Sequence, residues 1–123
     1  MVNMYDELYK LTDYYFDNFE KKNILALSDM FDDEIFLFDP IIKRVNGKAN
    51  VINVNKRIFD SCNKIKFTKK EIFIDQRKMI ATGEVEFFCD EKKINVVDII
   101  AYNESLKIIS IKAYLDTKGL SWK

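Results

Sequence analysis

Apolar residues recur at spacings of three and four through the first twenty positions. Leu8, Leu11, Tyr15 and Phe19 make one face of a helix, with Asp13, Asp17 and Glu20 off it. A second, short helix is predicted from about Ile24 to Phe31, with Asn23 as its N-cap. Glu34 to Asp39 reads EIFLFD, a strand ended by Pro40, which has no N–H to give a ladder. Asn46-Gly47 is a turn signal. Lys48 to Ser61 then predicts a third helix, with Val51, Val54, Ile58 and Cys62 along one stripe.

The period changes in the second half. Lys64 to Gln76, Lys78 to Cys89, Lys92 to Asn103 and Lys107 to Lys118 read as four strands in series, rich in β-branched and aromatic residues. Helix, helix, strand, helix and then an antiparallel meander make an α+β fold, not a doubly wound one.

Turn lengths assign the strand faces. If Asp90-Glu91 is a two-residue turn, Cys89 faces Lys92, Phe87 faces Ile94, Val85 faces Val96 and Gly83 faces Asp98. If Asn103 to Leu106 is a four-residue loop, Asp98 faces Ile111, Val96 faces Ala113 and Ile100 faces Ile109. One face then holds Ala81, Val85, Phe87, Ile94, Val96, Ile100, Ile109, Ile111, Ala113 and Leu115, with Asp98 among them. The other carries Thr82, Glu84, Glu86, Lys93, Asn95, Ser110 and Lys112, with Val97, Ile99 and Phe88 mixed in. A slip of one residue would reverse the two faces.

The 123 residues suit one domain over 1–123. Lys+Arg and Asp+Glu balance at 20 each, with no basic stripe, which argues against a nucleic-acid partner. The acidic start and the lack of a long apolar run predict neither a signal peptide nor a membrane span, hence a cytoplasmic protein. In that compartment Cys62 and Cys89 are expected as free, buried thiols. The chain has no histidine, so a zinc cluster, His-dependent triads and His-ligated metals are excluded and no cofactor is expected. Acid–base chemistry would fall to Asp, Glu, Tyr, Lys or Cys.

Three positions stand out. Asp98 lies on an otherwise apolar sheet face, where a carboxylate is costly unless paired or protonated. A backbone N–H or a lysine partner would equally account for it. Asp39 shares strand parity with Ile35 and Leu37, and as Asp-Pro it also suits the cap of a turn. Tyr15 lies on the apolar helix face, as core or as a cavity hydroxyl. Asn55 could face the same interior or the surface.

Three stretches, MFDDEIFLFDP at 30–40, NGKANVINVNKRIFDS at 46–61 and VVDIIAYNESLKIISIKAYLD at 96–116, carry a resemblance to the nuclear transport factor 2-like superfamily. Within it the chain resembles the SnoaL-like and ketosteroid isomerase-like proteins. The resemblance spans about Tyr5 to Asp116. It implies a cone of three helices and a strongly curved, mainly antiparallel sheet enclosing one pocket. It implies Asp39 at the position of the isomerase base, and Tyr15 and Asp98 at those of the oxyanion-hole donors. The pocket lining expected on this reading is Val54, Asn55, Ala81, Val85, Phe87, Val96, Ile100, Ile111 and Ala113. Asn55 stands where the isomerases have a second tyrosine.

Two functions follow as expectations. One is a non-catalytic ligand-binding or accessory domain for a small apolar or carbonyl-containing molecule. The alternative is an isomerase-like enzyme moving a proton α to a carbonyl. Hydration or epoxide opening is a third, for which relatives use an Arg or His in the site. The arginines, Arg44, Arg57 and Arg77, are expected at a turn, on a helix and in a turn. The mixed outer sheet face and the resemblance together predict a homodimer through that face, with Glu86 available to a lysine of the second chain.

Overall fold

The helical and strand periods produce their elements in the expected order, and side-chain caps set where the helices begin. The computed structural model describes residues 3–116. Helix α1 (Met4–Glu20) starts where the Asn3 side chain accepts the N–H of Tyr5. Helix α2 (Ile24–Met30) starts where Asn23 accepts from Ala26 at 3.1 Å. Strand β1 (Phe31–Asp39) follows α2 directly, three residues earlier than the EIFLFD alternation indicated. Strand β2 (Lys43–Asn46) was not foreseen; it carries Arg44, which is therefore in a strand rather than a turn. Gly47 then takes φ 89°, a left-handed conformation that suits glycine, and opens α3 (Lys48–Ser61).

Strands β3 (Ile65–Asp75), β4 (Ile80–Cys89), β5 (Lys92–Tyr102) and β6 (Ile108–Leu115) complete a sheet of order β2-β1-β6-β5-β4-β3. All neighbours are antiparallel except β1 and β6, which run parallel. The result is a cone of three helices and a curved, unclosed, mixed sheet. Residues 117 and 118 of the expected last strand lie outside the described residues.

The β4–β5 register is the one the two-residue turn dictates, with Gly83 opposite Asp98 and Val85 opposite Val96. The β5–β6 register differs by two residues. Asp98 faces Ala113, Val96 faces Leu115 and Ile100 faces Ile111. The cause is an irregularity after Ala101, where Tyr102 pairs with Ile108 and Ile109 is left without a partner. A shift of two preserves which face each residue occupies. Only the bulge residue is misplaced: Ile109 is exposed, and Ile108 is buried in its stead. Ser110 is buried too, with Phe36 and Ala101 as its partners on either side.

Helix α1 crosses the concave side of β3 and β4. Phe16 is wholly buried and makes an edge-to-face contact with Phe67 at 5.1 Å. A Cβ built on Gly83 would lie 2.7 Å from the Phe16 ring, so the ring occupies the space a side chain at 83 would need. At the flank, Lys69 Nζ donates to Asp13 and Asp17 at 2.6 Å each, and the N–H of Phe67 donates to Glu20.

Cys62 and Cys89 are not free thiols; they form a disulfide. Their Cα atoms are 5.2 Å apart although 27 residues separate them in sequence. The expectation of free thiols rested on a reducing compartment, not on any distance. A bridge closing a loop of that length contributes about 3.5 kcal/mol in the chain-entropy account. Among the described residues no helix is long and apolar enough to cross a membrane.

Replacing Gly83 by alanine would push the added methyl into the ring of the fully buried Phe16. Gly83→Ala should cost about 1–3 kcal/mol, read as a lower urea midpoint at unchanged slope. A neutral result would mean that α1 sits away from β4.

Candidate active site

Strand β1 ends at Asp39 because Pro40 cannot continue the ladder. The chain turns there by bonding to the Asp39 side chain: the N–H groups of Ile41 and Ile42 donate to Oδ1 at 2.8 and 2.6 Å. The turn cap therefore uses one carboxylate oxygen, and Asp39 also lines a cavity of about 1040 Å³ on the concave side of the sheet. Asp98 and Tyr15 line the same cavity, as does Asn55 from α3. All four residues are buried.

Small neighbours make room for Asp98. Its cross-strand partners are Gly83 on β4 and Ala113 on β6, the least bulky pair on that face. Among the described residues neither its carboxyl nor the Tyr15 hydroxyl makes a hydrogen bond. The Asn55 amide nitrogen, sealed from solvent, has no partner among them either. Three polar groups are thus held in an apolar wall and left unsatisfied by the protein, an arrangement that costs stability unless a ligand or solvent answers it.

Electrostatics divides the two carboxyls. Burial, and secondarily the nearby charge of Asp39, push Asp98 up to about 7. Asp39 has two backbone donors on Oδ1, while Asp98 has none, so Asp98 is the carboxyl that holds its proton up to about pH 7. Burial, then the charge of Asp98 and the adjacent Tyr102, raise Tyr15 well above its ordinary value. Its phenol stays protonated at neutral pH. Behind it, Tyr102 is tied to Thr12 at 2.8 Å, and burial raises it to about 12. The cavity offers the Tyr15 O–H and, below about pH 7, the Asp98 O–H, beside the Asp39 carboxyl.

Of the expected lining, Val54, Asn55, Phe87, Val96, Ile111 and Ala113 reach the cavity. Ala81, Val85 and Ile100 do not line it. They are fully buried in the core, on the end of the sheet that α1 and Phe16 cover. The sequence reading missed the residues of the mouth: Ile41 and Ile42 after the Asp39 turn, Arg57, and a rim from Ser61, Cys62 and Asn63 to Cys89, Asp90, Glu91 and Lys92. The spacing of three between Val54 and Arg57 on the helix was a usable signal for one of them. No three His, Cys, Asp or Glu side chains gather as a metal site among the described residues.

No protein-family model matches the chain, and no curated protein does. Solved structures do. An NTF2-like protein of unknown function from Cytophaga hutchinsonii superposes with a TM-score of 0.77 at 14% identity, covering 98% of this chain and 96% of that one. A ketosteroid isomerase-like protein from Kribbella flavida gives 0.77 at 13%, covering 89% and 78%. SalBIII, an epoxide hydrolase/cyclase-like enzyme of pyran ring formation in the polyether salinomycin, gives 0.80 at 15%, covering 92% and 93%. At these identities the likeness is one of fold: the chain has the NTF2-like fold.

The raised value of Asp98 fixes the sign of a pH effect. Below about pH 4 the group is protonated folded and unfolded, and it costs nothing. Between about pH 4 and about 7 only the folded chain holds the proton, so stability falls as pH rises and then levels off. Asp98→Asn should remove that slope. At pH 8 it should stabilise by on the order of 2 kcal/mol, after the cost of burying an amide. Urea titrations at pH 4 and pH 8 check this; a large loss at pH 8 would make Asp98 an ionised structural partner instead.

Proposed function

We propose that the chain is a small-molecule-binding domain whose cavity takes a largely apolar ligand bearing a carbonyl or comparable oxygen. The reading rests on one observation: the Tyr15 hydroxyl and the Asp98 carboxyl share an apolar cavity and have no protein partner among the described residues. Two donors without acceptors suit a ligand that supplies an acceptor oxygen and few other polar groups. Leu37, Phe87, Ile94 and Ile111 would pack its apolar body.

A second reading shares this pose and adds chemistry. Asp39 lines the same cavity, and its Oδ2 makes no hydrogen bond among the described residues. It could remove a proton α to a carbonyl held by Tyr15 and Asp98, whose O–H groups would bond the enolate oxygen. The proton would pass from the α-carbon to Asp39 and return at the γ-carbon, completing a double-bond shift. Epoxide opening has less support: Arg57 reaches the mouth, but among the described residues no basic side chain lies beside Tyr15 and Asp98.

Binding of 2-naphthol, followed by fluorescence, tests the first reading. Tyr15→Phe and Asp98→Leu should each weaken it about tenfold, the loss of one buried hydrogen bond. Binding that survives both changes would overturn the pose. Turnover of a β,γ-unsaturated ketone such as cyclohex-3-en-1-one separates the readings. A pure binding domain converts it no faster than Asp39→Asn does, whereas the enzyme exceeds that variant by about a hundredfold or more.

We also propose that two copies pair through the outer face of the sheet. Val97, Tyr114 and Phe73 are exposed there, and Phe38 packs on Tyr114 with centroids 6.1 Å apart. Glu86 is already engaged by Lys70 and Lys93 of its own chain, so apolar contact rather than that charge would carry the pairing. Sedimentation at micromolar concentration should give twice the 14.6 kDa chain mass. A concentration-independent monomer would rule pairing out.

A further inference from the structure

The cavity mouth is bounded on one side by the end of α3 and on the other by the β4–β5 turn. The Cys62–Cys89 disulfide joins these two elements, and both cysteines line the cavity. Cys62 follows the last residue of α3, and Cys89 is the last residue of β4. Ile58 and Asn55 lie one and two helical turns before Cys62, so the bridge fixes the helix that presents both to the cavity.

The same corner carries a second set of links that does not involve sulfur. The N–H groups of Asn63 and Lys64 donate to the Asp90 carboxylate at 3.2 and 2.8 Å, and the Asp90 N–H donates to the Lys64 carbonyl. Lys22 Nζ donates to the carbonyls of Cys62 and Asn63. Asn63, Lys64 and Asp90 are exposed, so water competes for their hydrogen bonds. Below the corner, β3 and β4 pair from Ile65 opposite Cys89 to Asp75 opposite Ile80, with one irregularity at Lys70.

We propose that the Cys62–Cys89 bridge is a redox-operated clasp on the cavity mouth. When it is oxidised, the end of α3 is held against the β4–β5 turn and the opening is fixed. A dithiol reductant donates two electrons and two protons, the S–S bond becomes two S–H groups, and the reductant leaves as its cyclic disulfide. The end of α3 then separates from the turn as the exposed Asp90 links are given up to water, while the β3–β4 ladder keeps the fold. Access to the cavity therefore follows the thiol–disulfide poise of the surroundings, whichever molecule the cavity binds and whether or not it is turned over.

The test reads the mouth directly. Free-thiol counting on protein purified without reductant should find none. Hydrogen exchange of the wild-type chain, with and without dithiothreitol, should accelerate at least tenfold at residues 61–64 and 89–91 and stay unchanged in α1 and β5. A Phe87→Trp reporter in a Trp122→Phe background places the chain's one indole in the cavity wall. Its acrylamide quenching should rise at least threefold on reduction. Cys62→Ser/Cys89→Ser should exchange like the reduced protein and ignore dithiothreitol. Two free thiols at the outset, unchanged exchange on reduction, or acceleration spread over the whole chain would each overturn the proposal, the last by making the bridge a staple of the entire fold.

Discussion

Phe16 reaches the backbone of β4 only because residue 83 has no side chain. That contact seats α1 inside the curve of the sheet, and two positions of the site depend on it. Tyr15 is the next residue on the helix and enters the cavity beside Phe16. Asp98 is the cross-strand partner of Gly83, so the position that admits the ring also sets the carboxyl near the hydroxyl. A larger residue at 83 would lift the helix and separate the pair. Packing, rather than any polar bond between them, brings these two groups together.

The second constraint is that two carboxyls share one apolar enclosure. Burial and the neighbouring carboxyl both raise Asp98, and the local backbone treats the two residues differently. The turn after β1 aims two N–H groups at Asp39, whereas the straight ladder around Asp98 has none to spare. The chemical difference between the residues follows from one sitting at a strand end and the other mid-strand. An identical pair of side chains thereby becomes an acceptor and a donor.

Much of this was readable before any coordinates. The three- and four-residue periods located all three helices, and α3 has the bounds its stripe implied. The two-residue turn gave the β4–β5 pairing residue by residue, and with it the inward direction of Asp98. The errors have physical causes. Lys43 to Asn46 is too short to show alternation, so β2 was hidden beside the Asn46-Gly47 turn. The bulge at Ile109 is set by how the last hairpin closes, which local propensity does not encode. The disulfide depends on two segments 27 residues apart arriving at one corner, and an argument from compartment cannot supply that distance. Ala81, Val85 and Ile100 were placed on the correct face, but a face does not reveal which part of it a helix will cover.

The parallel pairing of β1 with β6 has a consequence for how the molecule is made. Within the sheet, β1 and β2 form a hairpin that joins the remaining strands only through β6, with Phe36 opposite Ser110. The segment carrying Asp39 is synthesised well before its ladder partner. Until then the hairpin edge is an open template, and the meander that holds Asp98 is a separate piece. Closing so long a loop is entropically costly, which places this fold among the slower topologies. The cavity cannot form before β6 has been made: its opposing walls are translated far apart and meet only when that strand fills the gap between them.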